Sequence, residues 1–506
     1  MKHARLLLVA LPALVLFSCT KLEEKFQGDL TADQVGGSGG GGNAAALLEG
    51  IYNSMRTPYM DQSRFWAAQE HTTDECIGPT RGGDWDDNGV WRVMHLHRWD
   101  GDHLFLRNTF EDLGGIIYSA TDLLRFSPTP QQAAEGRFLR AFAMFSLLDG
   151  WNQVPFRQPG SDILAAPEVY VGTDALDFII SEVNAVMADL PDGPAYKANK
   201  DAAKVFLMKC YLNKGVVTNR ATPAFDAADM QQVITLADQV TATGKYALED
   251  NYFDNFAPNN DVVSSENIFT GFNQGGSSSG NVRSRWFCTL HYNMNPSGWN
   301  GFTTLSDFYD KFETADKRRS ATYAGVTEVS GIHPGFLIGQ QYDQNGTALK
   351  DRSGAPLAFT REVKAIETGN NLEVTGIRVI KYPIDYKSGD NSDNDYVLYR
   401  YADVLMMKAE ALLRKGDAAG AATIVNQVRA KRGLTNLASL SLDQLLDERA
   451  REFYWEGMRR QDLVRFGKFL EPWQEKPTDD PKNLLFPIPN QQLAANPNLT
   501  QNPGYN

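Results

Sequence analysis

Cysteine is scarce in this chain: 506 residues carry four, at positions 19, 76, 210 and 288. So small and irregular a set excludes a disulfide scaffold. With Cys19 assigned to a separate role below, Cys76, Cys210 and Cys288 read as buried small hydrophobes, with at most one pair bridged. Histidine is nearly as rare, with seven residues. His95, His97 and His103 lie close together beside Asp100 and Asp102, but their spacing matches no known ligand set. They read as surface or hydrogen-bonded side chains. Asp84, Asp86 and Asp87 offer oxygen ligands but lack the twelve-residue calcium loop with its closing Glu. Neither a metal nor a cofactor is therefore expected. Lys and Arg never gather into a run, and the formal charge is −13, falling to −15 if Lys2 and Arg5 are lost with a cleaved leader. Such a surface repels phosphate backbones, which excludes nucleic-acid binding.

Long apolar runs are missing too. The one unbroken stretch, Leu6 to Phe17, follows a short positive segment of Lys2, His3 and Arg5. It falls short of the ~20 residues a helix needs to cross a bilayer. Residues 1–18 therefore read as a cleaved secretion signal. Leu16-Phe17-Ser18-Cys19 resembles a bacterial lipobox, with Phe17 its departure from the usual pattern. The Cys19 thiol would take a diacylglycerol by thioether linkage and become the new N-terminus. Several acyl chains hold a protein firmly on a membrane, where one chain is marginal. Residues 19–43 read as this lipidated N-terminus and a flexible tether ending in Gly36-Gly37-Ser38-Gly39-Gly40-Gly41-Gly42. That run satisfies G-x-S-x-G and G-x-G-x-x-G by composition alone, since no strand leads into it.

What the chain has in abundance is helical periodicity. Apolar residues make up 42% of it, enough for a substantial core over a single domain, 44–506. Helices are predicted at 44–56, 135–148, 174–190, 202–214, 229–243, 396–415, 418–431 and 443–466. The last is one helix or two, supported by Asp447/Arg451 and Glu456/Arg460 at i,i+4. Ala402, Ala409, Ala411, Ala421 and Ala422 let the helices on either side of Gly416-Asp417 approach closely, as in tetratricopeptide-type hairpins. The fold class is mostly α: a helical-hairpin scaffold, 44–244 and 396–470, with a tail at 471–506. Between the two parts, 245–395 is rich in Gly, Asn, Ser and Pro, with β-like pieces near 372–382. A stretch this long without helices is more often functional than idle.

An ordered series of motifs carries a family likeness. Glu135-Gly136-Arg137-Phe138-Leu139-Arg140-Ala141-Phe142 leads through Gly150-Trp151-Asn152-Gln153-Val154-Pro155 to Tyr399-Arg400-Tyr401-Ala402-Asp403. Glu452-Phe453-Tyr454-Trp455-Glu456-Gly457-Met458-Arg459, Leu485-Phe486-Pro487-Ile488-Pro489 and Asn502-Pro503-Gly504-Tyr505 complete it. With the lipoprotein signal, the chain from Cys19 onward resembles the SusD/RagB family of outer-membrane nutrient-binding lipoproteins of Bacteroidetes-type bacteria. The resemblance implies a surface-exposed, lipid-anchored protein on a tetratricopeptide-like scaffold. It would cap a SusC-like TonB-dependent transporter and hand it oligomers, mostly glycans. Some relatives take peptides or other cargo, so the fold does not fix the ligand. Within the motifs, Arg449, Glu452 and Arg459 read as salt-bridge and packing residues.

Sugar rings stack their C–H faces on aromatic planes while polar groups bind the hydroxyls, so loop aromatics mark the candidate site. The densest loop runs from Asp74 to Trp91. In it, Trp85 stands among acids without apolar sequence neighbours, and Arg81, Asp74 and Asp84 could grip hydroxyls. The plainer alternative has Arg81 and Asp84 tying the loop together over Trp91 and Trp99. A second group, in the irregular region, is Trp286, Tyr292 and Trp299, where relatives place binding aromatics. A helical glycosidase with an acid pair such as Asp74 and Asp84 is the enzymatic alternative, and a pure protein-interaction module the third. Non-catalytic binding is the leading expectation.

Overall fold

The computed structural model of the protein describes residues 41–277 and 280–505. The leader, Cys19 and the tether up to residue 40 lie outside the described residues. Ten helices of seven or more residues are described. These are α1 (Gly41–Ser54), α2 (Leu104–Leu123), α3 (Pro130–Trp151), α4 (Gly172–Val186) and α5 (Lys200–Thr218). They continue with α6 (Ala227–Ala242), α7 (Tyr401–Arg414), α8 (Ala418–Lys431), α9 (Leu442–Phe453) and α10 (Arg459–Arg465). From α2 to α8 each packs on the next, giving a stack of helical hairpins of tetratricopeptide type.

Local chemistry sets the ends. Thr129 and Gln132 form a capping box ahead of α3, with Pro130 in the first turn where a missing N–H costs nothing. The helix therefore starts five residues before the predicted 135, and it stops at Asn152 in a left-handed conformation. Ser441 and Gln444 cap α9 the same way. Helix α2 was not predicted at all, although Leu106, Phe110, Leu113, Ile117 and Ala120 are buried along one face. The predicted helix from 396 begins instead with a strand, Tyr396–Arg400, which pairs antiparallel with Asn267–Gly271. Its aromatic and β-branched side chains suit a pleated, buried strand better than a helical turn.

Helices α6 and α7 are neighbours in the stack but are separated in sequence by 243–400. This segment leaves the array and returns to the same place. A buried ionic cluster joins it to the array. Arg400 bonds Glu452 at 2.7 Å, Glu456 at 2.9 Å and Glu266 at 3.1 Å. Arg432 reaches Glu452 and Glu266, while Arg318 reaches Asp316, Glu448 and Glu452. Lys381 adds a bond to Glu456 at 2.8 Å. Burying this many charges is tolerable because nearly every proton and lone pair has a partner. Glu456 thus serves the joint, and Arg460 turns to Asp149. Asp447 pairs with Lys311 and Arg451 with Glu448, so the expected i,i+4 pairs do not form. Arg449 does carry salt bridges, to Asp403 and Asp462. Cys76, Cys210 and Cys288 are buried and unbridged.

Candidate functional site

Short backbone ladders stitch three distant segments together. Thr80–Arg81 pairs in parallel with Ile366–Glu367, Ile77 bridges Thr303, and Thr304 bridges Ile377. The loops around 82–88, 291–301 and 351–373 are thereby set against one another. Beneath them lie two buried arginines. Arg81 donates to the carbonyls of Asn300 (2.9 Å), Gly301 (2.5 Å) and Thr375 (2.9 Å). Arg378 donates to the carbonyls of Gly376 (2.7 Å) and Glu373 (3.0 Å) and to Asn300 Oδ1 (2.8 Å). Burial draws the Arg81 pKa down to about 10, against the pull of Glu367, Tyr292 and Asp84, so it stays charged at neutral pH. Three of its donors go to loop carbonyls and Nε–H goes to the Thr375 hydroxyl. Arg81 therefore borders the groove as a clamp, and its expected grip on a sugar is corrected.

Above the clamp, Trp85 sits at φ 61°, a rare conformation for a bulky residue. Its indole lies on Gly301, where a Cβ would stand 2.3 Å from the ring, so only glycine admits it. Trp85 Nε1 donates to the Trp299 carbonyl at 2.7 Å. Phe302 (5.0 Å between centroids) and Trp91 (5.8 Å) complete the contact. Trp85 is half-buried, by neighbours that are distant in sequence or lie across the turn. Trp299 stacks on Phe287 at 5.7 Å and 23° and remains 46% exposed.

Tyr292 completes the set. Its hydroxyl donates to Asp84 Oδ2 at 3.3 Å, and the Arg352 guanidinium lies 4.0 Å over its ring. Arg352 also pairs with Glu373 and approaches Asp84 to 3.8 Å. His291 Nε2 bonds Glu373 at 2.8 Å. Burial, then the Asp84 charge, raises the Tyr292 phenol above its ordinary range. Burial would raise Glu373 too, but hydrogen bonds from Arg352 and His291 outweigh it and hold the carboxyl low, hence ionised at neutral pH. Arg81, Asp84, Asn300, Arg352, Asn371 and Glu373 line a groove of about 620 Å³ here, a volume suited to a small ligand. By contrast, the cavity among Tyr59, Phe142, Tyr399 and Met458 holds about 60 Å³, room for a water or two.

Asp74 and Trp286, both expected at the ligand surface, lie elsewhere. Arg459 holds both Asp74 carboxylate oxygens at 2.7 Å, a packing bond between segments. Trp286 is 2% exposed, because the short helix Ser284–Phe287 turns it into the core. The three histidines serve separate partners: His95 the carbonyls of Cys76 and Gln474, His97 Thr72 and Asp479, His103 the carbonyl of Val90. All three are buried, not at the surface. Sequence reasoning passed over Arg352, Asn300 and Glu373. The turn chemistry was visible, since Asp351 Oδ1 accepts from the amides of Ser353 and Ala355, but the partnership with Tyr292 was not.

A family model described as the SusD family matches residues 239–505. The starch-binding protein SusD of Bacteroides thetaiotaomicron is 27% identical over 482 residues, covering 86% of this chain and 84% of its own length. Among solved structures, the surface glycan-binding protein A from Bacteroides uniformis superposes with a TM-score of 0.71 at 19% identity, over 91% of this chain and 99% of that one. A laminarin-binding SusD-like protein gives 0.69 at 21% identity, over 92% and 99%. At such identities the structures speak for the fold alone.

Proposed function

The chain belongs to the SusD family, and from that premise we propose that it is a cell-surface lipoprotein that binds oligosaccharides in the groove beside Trp85, Tyr292 and Trp299. The observation that carries this reading is Trp299: a large aromatic left 46% exposed, braced by Phe287 and tied through its carbonyl to Trp85. A rigid aromatic next to a polar groove offers stacking and hydroxyl binding together at small entropic cost. A relative named for starch binding supports a glycan as the ligand. The reading is non-catalytic. A glycosidase needs a carboxylic acid with a raised pKa beside an ionised one. Of the pair named from the sequence, Asp74 lies outside the groove, where Arg459 outweighs burial and holds it low.

The reading extends to anchoring through Cys19 and delivery to a SusC-like TonB-dependent transporter. Cys19→Ala should release the protein from the outer-membrane fraction, and mild-detergent pull-down should recover a large β-barrel; retention of the variant, or recovery of this protein alone, counts against these extensions. For the groove, the test is affinity electrophoresis and calorimetry with starch and laminarin oligomers. Trp299→Ala should weaken binding about five- to thirty-fold, ~1–2 kcal/mol, with an unchanged melting temperature. Release of reducing ends by the wild type would make it an enzyme. Retardation by no glycan would sink the proposal.

A further inference from the structure

A second cleft, of about 560 Å³, opens within 243–400 and belongs to none of the residues used so far. Its lining includes Asp254, Asn259, Tyr323, Val329, Asp385 and Tyr386. Both tyrosines are half-buried and fixed at their tips. Tyr323 donates to Asp254 Oδ1 at 2.8 Å, and Tyr386 donates to the Asn295 carbonyl. An aromatic ring held at its hydroxyl has little rotamer freedom left to lose when something stacks on it. Val329 adds an apolar surface that is 38% exposed. The charges present are accounted for in part: Asp385 accepts from the amides of Lys387, Ser388 and Asp393. Fixed phenol rings, an apolar patch, and amide and carboxylate oxygens form the mixture that suits a neutral polyhydroxylated ring with C–H faces.

The placement of this cleft sharpens the case. The strip 292–299 separates it from the first groove and touches both. On one flank Tyr292 bonds Asp84 and Trp299 holds Trp85. On the other, Asn295 receives the Tyr386 hydroxyl and its Nδ2 donates to the Val329 carbonyl at 3.5 Å. Tyr292 and Asn295 are three residues apart, so their Cα atoms stand at most ~11 Å from each other even in a fully extended chain. Both depressions are thus anchored on one short strip of backbone, a span that an oligomer of a few sugar units matches in length.

We propose that the cleft beside Tyr323 and Tyr386 is a second saccharide subsite, which engages the far end of oligosaccharides too long for the groove beside Trp299. This rests on the glycan reading of that first groove. The experiment is calorimetry with starch and laminarin oligomers of two to seven units against the wild type, Trp299→Ala, Tyr323→Ala and Val329→Lys. Val329→Lys fills the cleft without touching either tyrosine anchor, so it stands if Tyr323→Ala loses stability. Cleft variants should bind the shortest oligomers like the wild type and the longest about five- to tenfold more weakly. Trp299→Ala should weaken every length. If Val329→Lys binds all lengths as the wild type does, at an unchanged melting temperature, the cleft is not a subsite. Loss in the cleft variants with none in Trp299→Ala would instead leave the cleft standing and overturn the first groove. A wild type that binds no oligomer would sink the glycan reading and this proposal with it.

Discussion

At the joint between the insertion and the helical array, Arg318, Arg400 and Arg432 meet Glu266, Glu448 and Glu452 with no side chain open to solvent. At the groove, Arg352 meets Glu373 and Asp84 with side chains 51%, 22% and 60% exposed. The same two functional groups do different work in the two places. Buried ions have no water to fall back on, so each partner lost strands a charge. Solvent-exposed pairs exchange one hydrogen bond for another at almost no net energy. The joint is thus rigid and intolerant, and the exposed ion pairs of the groove can change without endangering the fold.

The sharpest way to break this contrast is Glu452→Ala. It removes the acceptor shared by Arg318, Arg400 and Arg432 and should cost ~3–5 kcal/mol, measured as a shift of the denaturant midpoint. A loss below ~1 kcal/mol would mean that the buried cluster relaxes as a surface one does. The next effect is in acid. Burial would raise the Glu448 carboxyl, but Arg318, with Arg451 and Arg429, overrides it and sets a pKa of about 2. A depressed carboxylate contributes stability that is complete above its unfolded value, ~4.5, and drains as pH falls through the folded one. The wild type should therefore lose a few kcal/mol between pH 4.5 and 2, and Glu448→Gln should show a flatter curve over that window. Equal slopes would remove Glu448 from the acid response. Smallest is Arg352→Ala: a stability change under ~1 kcal/mol, with glycan affinity shifted about two- to fivefold. Destabilisation comparable to that of Glu452→Ala would erase the distinction between the regions.

Much of the scaffold was legible because helix packing writes itself into sequence at short range. Ala402, Ala409, Ala421 and Ala422 announced the close approach of α7 and α8, and all four are buried. Helix α2 was readable by the same rule and was missed beside the conspicuous cluster at 95–103; Gly114-Gly115 within it further weakens the pattern. The candidate site is different in kind. Trp286 and Trp299 lie thirteen positions apart in one aromatic-rich stretch, yet one is core and the other surface. Only tertiary packing distinguishes them. Trp85 has acids for sequence neighbours and Gly301 and Phe302 for spatial ones. Arg352 reaches Tyr292, and Glu373 reaches His291 beside it, across gaps of more than fifty residues, beyond any periodicity or spacing rule.

The contact between α6 and α7 has an evolutionary consequence. The helices pack as neighbours while 158 residues, 243–400, loop out between them. Loop-closure entropy rises only with the logarithm of length, so thirty more residues there would cost ~0.2 kcal/mol. Once the stack can bear the first long excursion, later growth is almost free. A lineage could rebuild the part of the ligand surface that this segment carries, Tyr292, Trp299, Arg352 and Glu373 among it, while the hairpins and the ionic joint stay unchanged.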